Sequence, residues 1–122
     1  MDKEQKLELL ISLMDEKNIS NMVVIDVSGV YTESDYFVIG TALNERNARA
    51  LCDHIDEKTK ENGIEKNGIE GYDGGKWILM DYGDIIVHIF TKTERELYDL
   101  EKLWSSGTFL DMRSRIKKRS EA

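Results

Sequence analysis

Apolar positions Leu7, Leu10, Ile11 and Met14 recur at i, i+3, i+4 and i+7, the spacing of one face of an amphipathic helix of about three turns. Leu9 and Leu13 widen that face. The period then changes. Met22, Val23, Val24 and Ile25, with Val27 beyond Asp26, are rich in β-branched residues and too few for a core helix, which predicts a strand buried on both sides. Tyr36, Phe37, Val38 and Ile39 predict a second strand of the same kind. Only the segment SGVYTESD separates the two. A parallel crossover usually needs a dozen or more residues, so they are expected to be antiparallel neighbours.

After Gly40 the helical period returns with Ala48, Leu51, Cys52 and Ile55, where Asn44 can cap the start and Gly63 suits the position after the end. Five of the nine glycines fall between Gly63 and Gly75, predicting a loop with at most a short edge strand around Gly68 to Tyr72. Trp77 to Met80, the turn group Asp81, Tyr82, Gly83 and Asp84, and Ile85 to Phe90 form a hairpin signal. Thr93 and Glu96 have capping-box spacing ahead of Leu97, Leu100 and Trp104, and Gly107 ends that helix. The predicted order is α, β, β, α, a short β, β, β, α: an α/β (α+β) chain with about four to five strands.

Length and charge narrow the function. At 122 residues with 34% charged and 40% hydrophobic side chains, the chain suits one small domain. Seventeen Lys plus Arg against 24 Asp plus Glu give a net charge of −7, which disfavours sequence-independent coating of duplex DNA. The exception is the tail RSRIKKRSEA, residues 113–122, with five basic residues and one acid. It reads as a solvated, frayed end or as an electrostatic arm for nucleic acid or an acidic partner. The domain is therefore set at 1–112 and the tail at 113–122. No run approaches the roughly 18 apolar residues of a membrane span, and the opening MDKEQKLELL lacks the marks of a leader, so a cytoplasmic location is expected.

The search for chemistry yields little. One cysteine and two histidines 34 residues apart do not suggest a zinc cluster or a disulfide. No G-x-S-x-G, G-x-x-x-x-G-K-[ST], H-E-x-x-H or G-x-G-x-x-G motif is present. Gly71, Gly74, Gly75 and Lys76 have the wrong spacing for a phosphate loop and precede a strand instead of a helix. Asp81 and Asp84 could bind a hard cation, but a tight turn itself demands such residues. Cys52 sits on an apolar stripe and reads as a core residue.

His88 interrupts an otherwise apolar strand, where it is either a packed structural residue or part of a surface patch. With a two- or four-residue hairpin loop, Met80 pairs with Ile85 and Trp77 with His88. Trp77, Leu79, Ile86 and His88 then share one face, and Ile78, Met80, Ile85, Val87 and Ile89 the other. A three-residue loop with Gly83 left-handed would flip that parity. The first register is preferred because it sorts the aliphatics toward the helices and leaves an aromatic and imidazole face suited to docking.

The segments VVIDVSGVYTESDYFVIGT, KWILMDYGDIIVHIF and ERELYDLEKLW, in this order and spacing, resemble the ribosomal silencing factor, or Iojap-like, family over about Met22 to Gly107. The resemblance implies a mixed sheet flanked by helices, with a topology related to nucleotidyltransferases. It also implies binding to a large-subunit ribosomal protein at the intersubunit face, obstruction of subunit joining, and repression of translation when nutrients are short. Nucleotidyltransferases need a G-S motif followed by paired aspartates; here IGTALNERN supplies Gly40 and Thr41 without an Asp-x-Asp on the next strand. No cofactor, metal or catalytic residue is therefore expected. Carried over, the motif makes Trp77 and Tyr82 aromatic anchors, Asp81, Asp84 and Glu101 carboxylates for a basic partner, and His88 and Tyr98 hydrogen-bonding members of the patch. Ribosomal RNA contact by the tail and a homodimer off the ribosome remain open, as does the alternative of a divergent nucleotidyltransferase-like enzyme acting on a nucleotide or RNA.

Overall fold

The computed structural model describes residues 1–17 and 19–110; the predicted tail, 113–122, and the domain's last two residues lie outside them. The elements are α1 (Lys3–Glu16), β1 (Ser20–Asp26), β2 (Tyr36–Thr41), α2 (Glu45–Glu61), β3 (Gly68–Glu70), β4 (Trp77–Asp81), β5 (Ile85–Phe90), α3 (Lys92–Tyr98), α4 (Leu100–Leu103) and β6 (Thr108–Phe109). The strands form one sheet in the order β3-β4-β5-β2-β1-β6. β2 and β5 run parallel, and the other pairs antiparallel. The mixed sheet flanked by helices is as expected, with six strands instead of four to five. The addition is β6, which is two residues long and holds to β1 through Ile25↔Phe109 and Asp26↔Thr108.

Local chemistry explains the helix starts. Asp2 accepts from the Gln5 backbone N–H at 2.8 Å while the Gln5 side chain accepts from Asp2 N–H at 3.0 Å, a reciprocal cap on α1. Asn44 caps α2 as predicted, accepting from Asn47 N–H at 2.8 Å, and Gly63 follows its end at φ 71°. The third helix differs from expectation. Thr91, not Thr93, stands at its N-cap, without a side-chain cap bond. One continuous helix was expected up to Gly107, but Asp99 takes φ 46° and splits it into α3 and α4. A short polar side chain tolerates that left-handed position.

Strand alternation divides the interior in two. Val24, Val38, Ile78, Met80, Ile85, Val87 and Ile89 pack beneath α1 and α2 with Leu7, Leu10, Ile11, Met14, Leu51 and Ile55. Ile25, Phe37, Ile39, Ile86 and Phe90 point to the opposite face, where Leu100 and Trp104 cover them. Each fully buried Leu, Ile or Phe contributes about 1.5–3 kcal/mol relative to exposure. Gly40 is needed beneath α1, because a Cβ there would lie 2.8 Å from Met14 Cε and 2.5 Å from Ile19 Cγ1. The β4–β5 pairing is Trp77↔Phe90, Leu79↔His88, Met80↔Val87 and Asp81↔Ile86. It is shifted by two residues from the predicted pairs, which preserves the predicted faces.

Candidate functional site

The second face of β4 and β5 carries an aromatic group at its surface. Trp77 is half-buried. Its indole stacks on Phe90 with centroids 5.0 Å apart, and Tyr98 of α3 lies 4.7 Å away on a tilted plane. Tyr98 is 49% exposed, and its neighbour Leu97 is 70% exposed. Leu79 and Asp81 follow Trp77 on the same side of β4 by alternation, both half-buried. The Asp81 carboxylate accepts from Gly83 N–H at 2.8 Å, so it shapes the turn, and Gly83 takes φ 86°. Among the described residues no group of three or more His, Cys, Asp or Glu is placed to hold a metal ion.

One predicted anchor, Tyr82, and one predicted hydrogen-bonding member of the patch, His88, are buried. Tyr82 is 3% exposed and belongs to the core under the helices, where its hydroxyl shares a 3.0 Å hydrogen bond with Thr59 of α2. Burial pushes its pKa up to about 12. The turn at Asp81 to Gly83 folds the ring inward, so Tyr82 offers no surface to a partner. His88 is 4% exposed, wedged edge-on to Phe37 at 5.1 Å and bonded to Trp77: indole Nε1–H donates to His88 Nδ1 at 3.1 Å. Burial pushes its pKa down to about 4. His88 thus lies behind the patch, not on it.

The carboxylates are partly committed within the chain. Asp84 pairs with Lys6 of α1 at 2.6 Å, on the helix side of the hairpin turn. Glu101 receives Arg95 Nε at 3.3 Å and Nη2 at 3.2 Å through one oxygen, and Arg95 Nη1 donates to Thr41 Oγ1 at 2.9 Å. Arg95, absent from the sequence-based candidates, therefore staples α3 and α4 to the end of β2. Its signal was faint, since a buried arginine looks like any other charge on a helix. Beside it lies a polar cavity of about 400 Å³ lined by Asn21, Thr41, Lys92, Arg95, Glu96, Asp99 and Glu101. The structure thus brings together Trp77 and Tyr98 on the patch with His88 behind it, and leaves Asp81 on the same face at the far end of β4. Tyr82 and Asp84 fall on the helix side, and Glu101 at the polar cavity.

The chain matches, over residues 1–122, the family model for ribosomal silencing factor during starvation, RsfS. It belongs to the RsfS family. The ribosomal silencing factor RsfS of Bacillus subtilis is 33% identical over 112 residues, covering 92% of this chain and 95% of that protein. The mouse protein "mitochondrial assembly of ribosomal large subunit protein 1" is 31% identical, covering 90% of this chain and 50% of its own length. A crystal structure of a Chromobacterium violaceum protein superposes with a TM-score of 0.83 at 28% identity, over 86% of this chain and 88% of that one. RsfS membership agrees with the resemblance carried by the Trp77 to Trp104 segment. Among the described residues no helix is long and apolar enough to cross a membrane.

Proposed function

We propose that the protein is a ribosome-associated silencing factor that acts by binding and not by catalysis. It docks on a basic protein of the large subunit at the intersubunit face and sterically prevents the small subunit from joining. The observation that carries this reading is the match of the entire chain to the RsfS family. The surface chemistry supports it: Trp77, Leu79 and Tyr98 form an aromatic and aliphatic patch on a chain of net charge −7. Aromatic anchors supply most of the affinity at such interfaces, while acidic surroundings steer a basic partner and discriminate against acidic ones.

Sedimentation of cell lysate through sucrose, followed by blotting, tests the mechanism. Occlusion and a joined small subunit exclude each other, so the protein is expected with free large subunits. Equal abundance on 70S particles or polysomes refutes blocking. The polar cavity beside Thr41 lends one observation to a second reading, an enzyme of nucleotidyltransferase ancestry. Nucleotide with Mg²⁺ should raise the melting temperature under that reading and leave it unchanged under the first.

A further inference from the structure

The direction of the Trp77–His88 bond has consequences. A tryptophan N–H taken from water needs an acceptor, and Trp77 points its N–H inward to an imidazole that is 4% exposed. Indole Nε1 is a donor only, so His88 Nδ1 must carry the lone pair and the proton must sit on Nε2. That Nε2 is buried and lacks a hydrogen-bond partner among the described residues. A buried N–H without an acceptor opposes folding, and Phe37, Phe90 and Trp77 surround the ring. An apolar residue at position 88 would avoid that penalty, yet it would orphan the indole N–H. The arrangement therefore gives up stability at one nitrogen and fixes the orientation of one side chain.

We propose that His88 is a positioning residue for the docking surface: through Nδ1 it locks the Trp77 indole with its N–H inward, so that the partner meets a preset carbon surface flanked by Tyr98. This rests on the docking function proposed above. The consequence for recognition is chemical. With its one polar proton engaged, Trp77 offers the partner apolar contact and no hydrogen-bond donor, so the complementary site is an aliphatic pocket among basic side chains, not an acceptor-lined one. An indole held in one orientation also does not lose that freedom on binding, which raises affinity without adding a contact.

Nitrogen-15 NMR of the intact protein tests the lock directly. A coupling across the hydrogen bond between Trp77 Nε1 and His88 Nδ1, with His88 protonated at Nε2, is expected; protonation at Nδ1 overturns the proposal. Two variants then test the consequence. His88→Asn can return an acceptor near the Nδ1 position, and His88→Leu removes it. Binding to purified large ribosomal subunits, measured below the melting temperature of each variant, is expected to weaken roughly threefold to tenfold for His88→Leu, the range of one side chain's lost ordering, and to stay within about twofold for His88→Asn. Equal weakening in both variants, or none in His88→Leu while Trp77→Ala loses binding, overturns the positioning role and leaves the docking reading intact. Unchanged binding by Trp77→Ala overturns the docking reading itself, and the positioning role with it.

Discussion

Acidification should destabilise the protein through His88 before it reaches the carboxylates. The imidazole is 4% exposed, and burial lowers its pKa from 6.5 to about 4. Above pH 6.5 it is neutral in both the folded and unfolded chain and contributes nothing to pH dependence. Below 6.5 the unfolded chain takes up a proton that the folded chain refuses, so stability falls by up to about 1.4 kcal/mol per pH unit. The loss levels off near pH 4, where the folded state also binds the proton, for a total of roughly 3 kcal/mol. Urea unfolding of the parent and of His88→Asn, followed by tryptophan fluorescence from pH 7.5 to 4, isolates this contribution, because the difference between the two removes groups common to both. The difference in stability should shift by roughly 3 kcal/mol in favour of the variant as the pH falls. Parallel curves would show that the imidazole is hydrated in the folded state and that the argument from burial is wrong.

Tyr82→Phe removes the hydroxyl facing Thr59 and should cost about 1 kcal/mol in thermal or urea unfolding; a loss of ribosomal binding without a loss of stability would return Tyr82 to the interface. Burial pushes the Cys52 thiol up to about 12, so iodoacetamide at pH 8 should label it only after denaturant is added, as read by mass spectrometry. Rapid labelling of the folded protein would contradict its place on the inner face of α2. Steering by negative charge predicts association with large subunits that slows as salt rises above physiological ionic strength, where screening acts beyond about 8 Å. Glu96→Lys, at an exposed position, should slow it at constant salt, and a salt-independent rate in stopped-flow measurements would refute steering.

What the sequence made legible was local. Period and caps located α1, α2 and the β4–β5 hairpin, and alternation sorted Trp77, Leu79, Ile86 and His88 from the aliphatic face even though the pairing slid by two residues. A slide of two leaves every side chain on its own face, which is why the face was readable and the partners were not. Nothing local announces the parallel β2–β5 pairing, whose partners lie far apart in the chain. Tyr82 was misplaced because an aromatic in a turn looks exposed, and only the inward fold at Gly83 sends it to Thr59. The break at Asp99 does not show in the spacing, because a single left-handed residue leaves the apolar positions Leu97, Leu100 and Trp104 undisturbed. His88 reads from sequence as an interruption of an apolar strand; its bond to Trp77 depends on which way two rings turn, which spacing does not encode.

The parallel seam also sets a timetable for synthesis. β2 is buried along almost its entire length and emerges from the ribosome with one edge facing no partner, since β5 follows roughly fifty residues later. At about 5–20 residues per second that is roughly 3–10 s with the backbone edge of an apolar strand unpaired. Such an edge is a template for pairing with other chains. Chains released before Ile85 should therefore aggregate, and the free edge of β2 is covered only when the hairpin from Trp77 to Phe90 arrives to pair with it.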